Sequence, residues 1–387
     1  MTEQAKVPAI RFAGFTDPWE QRKLSEVATF GGGHTPPMAD PDNYEDGYVL
    51  WVTSQDVKSN YLDRTTTQIT EKGAKELTLY PAGSLVMVTR SGILRHTLPV
   101  AELRKPSTVN QDIRVILPQG ECCGEWLLQF FISHNKELLL EFGKTGTTVE
   151  SVDFGKIKDM LLYMPSTVEQ QQIGDFFAKL DSLITLHQRK YDKLVILKKS
   201  MLEKMFPKDG ESVPEIRFAG FTDPWEQRKF SDIVDVCSGK DYKHLEEGPI
   251  PVYGTGGFMT SVDEALSYDR DAVGIGRKGT IDKPYLLKAP FWTVDTLFYA
   301  IPKSDMDLEF VHCSFLNVDW KSKDESTGLP SLSKEAINET IALVPSFNEQ
   351  SRLGEFFSDL DSLITLHQRK LELLQNIKKS LLDKMFA

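Results

Sequence analysis

Two glycine-punctuated stretches of this sequence concentrate arginine and lysine, the side chains best suited to bind anions. The first, residues 90–114, carries Arg90, Arg95, Arg104, Lys105 and Arg114 against two acidic residues, a local charge of +3. The second, residues 270–288, carries Arg270, Arg277, Lys278, Lys283 and Lys288 against two acidic residues, again +3. Arginine in such a loop can bond guanine edges through both arms, and lysine can contact phosphates. Charge alone, however, favours the plainer interpretation of a solvated loop face.

No catalytic pattern accompanies these cations. The segment Gly143-Lys144-Thr145 resembles the end of a phosphate-binding loop, but that motif requires glycine at position 138, which is leucine. The glycines around position 256 are too sparse for a dinucleotide fingerprint. The sequence contains no Asn/Asp-Pro-Pro-Tyr/Phe motif of an amino methyltransferase and no Cys-x-x-Cys pair. We therefore expect no catalytic residue and no metal site in this chain.

The overall composition limits the class of protein. The 387 residues include 45 Lys and Arg against 56 Asp and Glu, a formal charge of −11. This acidic balance excludes a histone-like protein that coats nucleic acid through charge alone. The first ten residues lack an apolar signal-peptide core, and no apolar run approaches the ~18 residues of a membrane helix. We expect a cytoplasmic protein with reduced thiols and no membrane partner.

An internal repeat determines the domain organisation. Residues 10–23, IRFAGFTDPWEQRK, recur unchanged at 216–229, and DSLITLHQRK at 181–190 recurs at 361–370. The chain is therefore a tandem duplication in which each copy has a fixed front, a variable body and a fixed tail. The bodies are residues 24–164 and 230–344, and the predicted domains are 1–164, 165–210, 211–344 and 345–387. The period is too long for a solenoid, so we expect two similar domains related by a pseudo-twofold axis.

The two tails have the pattern of long coiled-coil helices. Each opens with Ser-x-x-Glu, at Ser166 to Glu169 and Ser346 to Glu349, which predicts a capping box. Residues that would face the partner helix then recur at alternating steps of four and three, and we call this line of residues the seam. They are Ile173, Phe177, Leu180, Ile184, His187, Tyr191, Leu194, Lys198, Met201 and Met205, and then Leu353, Phe357, Leu360, Ile364, His367, Leu371, Leu374, Lys378, Leu381 and Met385. We expect the two helices to run antiparallel, with the seam histidines and lysines fixing their register.

The bodies contain short β-branched runs broken by glycine and proline, which indicate strands and turns. The predicted fold class is therefore α+β. It consists of two mixed α/β domains separated by two long antiparallel coiled-coil helices, arranged as a pseudo-twofold tandem repeat.

The combination resembles the DNA specificity subunit of a type I restriction-modification system over essentially the whole chain. The resemblance rests on the doubled fronts FTDPWEQRKL and FTDPWEQRKF, and on tails of the form P-S-x-x-E-Q-x-x-x-G-x-F-F-x-x-L-D-S-L-I-T-L-H-Q-R-K. It also rests on KTGTTVESVDFGKI and ESTGLPSLSKEAI, and on the course IPVYGTGG, IGRKGTI and FWTVDT of the second body. The family implies a non-catalytic subunit with two target recognition domains, each reading half of a bipartite asymmetric DNA site.

The resemblance also implies partners and their cofactors. Two modification subunits, which use S-adenosylmethionine to methylate adenine, would dock on the fronts and helices, where we single out Trp19, Trp225, Phe177 and Phe357. Restriction subunits would add ATP- and Mg-dependent translocation and cleavage, and this chain would hold no cofactor itself. The predicted contacts to double-stranded DNA are Arg90, Arg95, Arg104, Lys105, Arg114, Arg277, Lys278, Lys283 and Lys288. The alternative is a coiled-coil scaffold that dimerises a partner protein without binding DNA.

Overall fold

The computed structural model describes residues 7–146, 149–208, 210–324 and 326–386. The chain divides into unit 1, which comprises residues 1–186 and 370–387, and unit 2, which comprises residues 187–369. Each unit therefore contains one body and part of each long helix. The domain boundaries predicted from the sequence stay a prediction. Four internal residues lie outside the described residues. Residues 147–148 belong to the segment KTGTTVESVDFGKI, residue 325 is the first of ESTGLPSLSKEAI, and residue 209 belongs to the linker at the end of the predicted segment 165–210.

Unit 1 begins with the fixed front and contains the first body. Its strands are β1 (Glu20–Lys23), β2 (Ala28–Gly32), β3 (Val49–Val52), β4 (Tyr61–Leu62), β5 (Gln68–Ile69), β6 (Leu85–Val88), β7 (Val100–Leu103), β8 (Thr108–Val109), β9 (Ile113–Pro118), β10 (Gly143–Lys144), β11 (Ser151–Val152) and β12 (Leu161–Met164). Its helices are α1 (Leu24–Val27), α2 (Glu71–Ala74), α3 (Gly124–Ser133), α4 (Asn135–Phe142), α5 (Phe154–Asp159), the first half of α6 (Thr167–Met205) and the second half of α10 (Phe347–Met385).

The first body is built on two sheets, ordered β2-β9-β6-β7-β4 and β5-β3-β8. Strand β6, LVMV, lies at the centre of the larger sheet and is buried at all four positions. Its side chains alternate between two cores, because successive residues of a strand face opposite sides. Leu85 and Met87 join the core that contains α3, whereas Val86 and Val88 join the core that contains residues of the smaller sheet.

Unit 2 contains the second front and the second body. Its strands are β13 (Glu226–Lys229), β14 (Val234–Ser238), β15 (Ile250–Gly254), β16 (Gly257–Val262), β17 (Ala272–Gly276), β18 (Tyr285–Leu287), β19 (Trp292–Thr293), β20 (Leu297–Pro302) and β21 (Ile341–Val344). Its helices are the second half of α6, α7 (Phe230–Ile233), α8 (Leu308–Leu316), α9 (Lys334–Asn338) and the first half of α10 (Phe347–Met385).

The two bodies share a topology although their sequences do not repeat. In unit 2 the sheets are ordered β14-β20-β17-β18 and β16-β15-β19, which match β2-β9-β6-β7 and β5-β3-β8 of unit 1. In both smaller sheets the central strand pairs with one neighbour in parallel, β3 with β8 and β15 with β19. Unit 1 adds the edge strand β4, parallel to β7. The predicted α+β class with two mixed α/β domains is thus confirmed.

Each front is joined to the tail of its own copy. Strand β1 pairs antiparallel with β12, from Glu20 opposite Met164 to Lys23 opposite Leu161, and β13 pairs with β21 in the same register. Each front also contacts the end of the long helix of the other copy. In unit 1, Ile10 N donates to Lys384 O of the second long helix at 3.0 Å. Both strands of each ribbon lie at the boundary between a fixed block and a variable body.

The predicted capping boxes form differently. Glu169 N reaches Ser166 Oγ at only 3.4 Å, and Glu349 N donates instead to the Ser346 carbonyl. The glutamate side chains do not reach back to the helix start. Both carboxylate oxygens of Glu169 accept from Arg11 at 2.7–2.8 Å, and Arg217 bonds Glu349 in the same way. A charge-assisted bidentate pair is stronger than a neutral cap, so the glutamates anchor the fronts instead.

Helices α6 and α10 have 39 residues each, or about 58 Å at 1.5 Å per residue. A glycine lets each approach the body closely. A Cβ on Gly174 would lie 3.0 Å from the Glu125 side chain, and one on Gly354 would lie 2.4 Å from Asp307 Oδ1. The described part of the chain contains no helix long and apolar enough to cross a membrane.

The predicted seam is confirmed, because all of its positions in both helices are buried or half-buried. In unit 1, Lys378 Nζ contacts Asp181 Oδ1 at 2.6 Å, and the Phe386 ring lies 6.2 Å from that of Phe177. Rising residue numbers in one helix therefore meet falling numbers in the other, so the helices run antiparallel as expected. In unit 2, His187 Nδ1 and His367 Nδ1 are 2.8 Å apart.

Candidate nucleic-acid interface

The residues that follow β6 and β17 occupy the same place in the two bodies. We call them basic loop 1 (residues 89–95) and basic loop 2 (residues 277–283). Arg90 forms an isolated β-bridge with Ser151, and Lys278 forms the corresponding bridge with Ser331. Each loop is thereby tied to the segment that leads toward the tail of its own copy. Two stretches with no sequence repeat thus present arginine and lysine from equivalent strand ends.

The nine basic residues predicted to contact DNA are all exposed. Six of them make no ion pair within the described residues: Arg90, Lys105, Arg114, Arg277, Lys278 and Lys283. Among these, the Arg277 guanidinium lies 5.8 Å from the centre of the Phe298 ring and donates to the Asp295 carbonyl at 3.4 Å. An unpaired exposed cation keeps its charge available for an external anion such as phosphate.

The other three basic residues are already paired. Arg95 Nε lies 2.5 Å from Glu150 Oε1, and this hydrogen bond lowers the pKa of Glu150. Lys288 Nζ lies 2.9 Å from Asp271 Oδ2. Arg104 contacts two carboxylates and stacks on a tyrosine, as described next. Because their charges are balanced within the chain, these three are weaker candidates for anion contact than the other six.

Arg104 belongs to a polar network that connects the first body to both long helices. Its guanidinium contacts Glu102 Oε1 at 3.0 Å and Glu125 Oε2 at 3.5 Å, and lies 4.0 Å from the centre of the Tyr61 ring. Tyr61 donates a short hydrogen bond to Glu125 and lies 3.5 Å from Asp181, the partner of Lys378. Burial, and then the nearby Glu125 charge, raise the pKa of Glu102 to about 7. The network orients this body on the helices of its unit.

A polar pocket of about 350 Å³ opens beside basic loop 2. Arg277, Lys278 and Lys334 line it together with Ser238 and Ser331. Basic loop 1 borders a pocket of about 410 Å³ that is lined by Arg90 and by polar residues including Ser54 and Gln111. The sequence interpretation missed Lys334 and these serines, since they are distant from the basic stretches in the chain.

The four aromatic residues predicted to bind partners lie in the cores. The Trp19 ring packs 6.5 Å from that of Trp126, and the Phe177 ring 6.2 Å from that of Phe386. In unit 2, Trp225 and Phe357 pack against Phe206, at 5.5 and 6.4 Å. These side chains hold the helix ends in place, so direct contact with a partner would require the core to open. Their docking role stays a prediction, better suited to the exposed residues of the same repeated blocks.

The exposed surface of the repeated blocks includes apolar side chains. Leu183 and Leu186 on α6, and their equivalents Leu363 and Leu366 on α10, are exposed and do not belong to the seam. In unit 1, Phe12 and Phe176 line an open groove together with the exposed Val168. Identical exposed leucines in both copies are not required by packing within the chain.

Chemical groups suited to catalysis or metal binding are not assembled in the described residues. No group of three or more His, Cys, Asp or Glu could hold a metal ion there. Lys144, in the segment that resembles a phosphate-binding loop, lies in the short β10–β11 ribbon and pairs with Asp153 at 2.9 Å. Burial raises the pKa of the Cys122 thiol to about 12, which disfavours the nucleophilic thiolate.

A glycine-rich hairpin near basic loop 2 was also missed. The glycines at 254–257 do not match a dinucleotide fingerprint, and they instead form the turn between β15 and β16. Phe258 and Met259 follow this turn and are exposed. The available signal was a Gly-Gly pair between two runs of strand-forming residues, which is typical of a tight hairpin.

Comparisons with known proteins identify the family. The family model described as type I restriction modification DNA specificity domain matches residues 16–195 and 222–376. The chain is 29% identical over 186 residues to the type I restriction enzyme EcoR124I/EcoR124II specificity subunit of Escherichia coli, an alignment that covers 45% of this chain and 46% of that protein. It is 24% identical to the MjaIX specificity subunit of Methanocaldococcus jannaschii, over 95% of this chain and 92% of that protein.

A solved structure shows the same fold. The crystal structure of the type I restriction-modification S subunit from M. genitalium aligns with a TM-score of 0.69, covering 99% of each chain at 17% identity. The family match spans both copies of the repeat, including both bodies and most of both long helices. This chain belongs to the type I restriction-modification DNA specificity family.

Proposed function

We propose that this chain reads a bipartite, asymmetric DNA site, with one half-site read by each body. The observation that carries the proposal is the equivalent placement of basic loops 1 and 2 in bodies that share a topology but not a sequence. Equivalent placement offers both loops to the same kind of ligand, and the different sequences around them suit different base pairs. The nine predicted cations, and above all the six unpaired ones, are the proposed DNA contacts.

The two long helices would set the spacer between the half-sites. Each is continuous for 39 residues, about 58 Å. One turn of DNA is about 34 Å long, so helices of this length suffice to hold two readers at least one turn apart. The proposed spacer of fixed length is supported by the antiparallel seam and by its ion pairs, Lys378 with Asp181 and Lys198 with Asp361.

The repeated blocks would dock two modification subunits, and restriction subunits would join through them. Exposed side chains that are identical in both copies support this, because Leu183 and Leu186 recur as Leu363 and Leu366 without serving either core. S-adenosylmethionine would then be used by the modification subunits, and ATP with Mg by the restriction subunits. This chain would contribute recognition without catalysis, in the cytoplasm where the DNA lies.

Co-expression with the adjacent methyltransferase gene, followed by mapping of methylated adenines, tests the proposal. We expect a two-part motif with a fixed gap and different sequences in its two halves. DNA binding by the purified complex should also weaken steeply with salt, since each neutralised phosphate releases counterions. A complex that assembles but does not bind duplex DNA at any salt concentration would instead favour the coiled-coil scaffold that dimerises a partner protein.

A further inference from the structure

The β15–β16 hairpin places two large apolar side chains in solvent. Phe258 is 63% exposed and Met259 is 52% exposed, directly after a turn in which Gly257 has φ +101°. Exposure of apolar surface to water costs free energy. Large exposed apolar side chains next to one another often mark a contact surface.

Hydrogen bonds to the end of β15 fix the backbone next to the hairpin turn. The Tyr285 hydroxyl donates to Gly254 O at 2.7 Å, and Val294 N donates to Tyr253 O at 3.0 Å. The Tyr253 ring lies 6.3 Å from that of Phe258, edge to face. Fixed backbone below an exposed side chain lowers the entropy that is lost when that side chain binds.

The same tip lies beside basic loop 2. A Cβ added to Gly276, the residue before Arg277, would lie 3.2 Å from Thr255 Cγ2 at the hairpin turn. The exposed Phe258 therefore shares an edge of the body with the unpaired Arg277 and Lys278. An apolar tip flanked by cations fits a ligand that has anionic edges and stacked apolar rings between them, as duplex DNA has.

We propose that Phe258 inserts between adjacent base pairs of the half-site read by unit 2, while Arg277 and Lys278 contact the flanking phosphates. The inference rests on the proposed DNA reading. Apolar side chains inserted in this way unstack a base step and kink the duplex. Met259 beside it would cover the edge of the opened step.

The corresponding part of unit 1 has a different character. After β3, the equivalent of β15, the chain forms a polar turn in which Asp56 accepts hydrogen bonds from Thr53 N at 2.8 Å and Thr66 N at 2.7 Å. Ser54, on this turn, lines a pocket together with Arg90 of basic loop 1. Between β3 and β5, where all residues are described, no large apolar side chain is exposed as Phe258 is. We therefore expect the wedge of the β15–β16 hairpin to have no counterpart in the half-site of unit 1.

Fluorescence of 2-aminopurine tests the proposal on the full chain co-purified with its modification subunits. The base analogue replaces adenines one at a time in both half-sites and their flanks, with the methylated adenine excluded. Binding should raise fluorescence at one step in the half-site of unit 2 and at no step in the other. In Phe258→Ala this rise should vanish and affinity should fall about tenfold, whereas Phe258→Trp should retain both.

The surface variant Leu140→Ala, which removes an exposed leucine from α4 of unit 1, is the matched control and should behave as wild type. A Phe258→Ala complex with unchanged affinity and fluorescence would overturn the wedge. So would a wild-type complex that binds its mapped site without any local rise, although DNA reading itself would then stand. Only failure of the wild-type complex to bind that site would count against both.

Discussion

Lys378 and Asp181 form a buried ion pair, and the duplication repeats it in exchanged form as Lys198 and Asp361. Both pairs have a closest distance of 2.6 Å, but the side chains of the first are 10% and 9% exposed and those of the second 18% and 40%. The difference arises because the first pair lies under the polar network of the first body, where Asn60 also donates to Asp181. The same substitution should therefore have unequal effects in the two copies.

Lys378→Met should lower the free energy of unfolding by about 3 kcal/mol, because it leaves the Asp181 carboxylate buried without its cation. Lys198→Met should cost about 1 kcal/mol, since water can reach Asp361. Urea unfolding of the two variants measures the difference. Adding Asp181→Leu to Lys378→Met should recover part of the loss, and equal losses in the two single variants would contradict the assignment.

The free energy of unfolding should depend on pH through Glu102. Its pKa is about 7 in the folded chain because of burial and Glu125, against an ordinary value of 4.5. Between these values the folded state binds more protons than the unfolded state, so stability falls as pH rises from about 4.5 to 7. Glu102→Gln should flatten this slope in urea unfolding. Glu121→Gln, at an exposed position of the same unit, should leave the slope unchanged.

His312 should produce the opposite dependence. Burial in α8, and then Lys198, lower its pKa to about 4, against an ordinary value of 6.5. The unfolded state binds more protons between these values, so stability is present above about pH 6.5 and is lost as pH falls toward 4. His312→Gln should reduce the loss on acidification, and the exposed His244→Gln should not. Equal acid sensitivity of wild type and His312→Gln would contradict this.

Arg277→Ala should alter recognition of one half-site, and Arg90→Ala should alter recognition of the other. Both residues lie in equivalent basic loops, exposed and without an ion pair. Loss of a bidentate base contact costs about 1–3 kcal/mol and relaxes one position, whereas loss of a phosphate contact weakens all sequences equally. Maps of methylated adenines distinguish these outcomes. An unchanged map with Arg277→Ala would remove that residue from base reading.

Insertion of one heptad into both helices, after Lys190 and after Lys370, should lengthen the tolerated spacer. Seven residues add about 10 Å, which corresponds to about three base pairs. Insertion into one helix alone should instead misalign the antiparallel seam and destabilise the chain. Methylation mapping of the double insertion provides the measurement, and an unchanged gap would refute the role of the helices in spacing.

The long helices could be predicted because their signal is local. A seam repeats every three or four residues, and the pattern locates it without knowledge of the partner helix. The capping boxes failed for the opposite reason. Ser166 and Glu169 fit a local pattern, but Arg11 lies 158 positions away in the chain and binds the carboxylate more strongly. An ion pair with a residue so far away in the chain cannot be predicted from the spacing of neighbouring residues.

Repetition alone did not separate packing from docking. Trp19 and Phe177 repeat as Trp225 and Phe357, which suggested a shared partner, but both pairs fill cores. A tandem duplication copies buried residues and exposed residues alike, so identity between the copies does not show which residues contact a partner. The hairpin that carries Phe258 was missed because neither the exposure of a phenylalanine nor its distance from a basic loop can be obtained from spacing along the chain.

The antiparallel ribbons between front and tail have a consequence for how such a chain can evolve. Lys23 and Leu161 are paired neighbours in β1 and β12, about 5 Å apart, and everything between them is body. Lys229 and Ile341 bracket the second body in the same way. The chain therefore enters and leaves each body through two neighbouring residues of one ribbon, so the body joins the rest of the chain at a single place. Recombination within the repeated blocks can exchange one body for another while the helices and their contacts persist. If each body reads one half-site, as proposed, such an exchange gives a new DNA specificity in one genetic step.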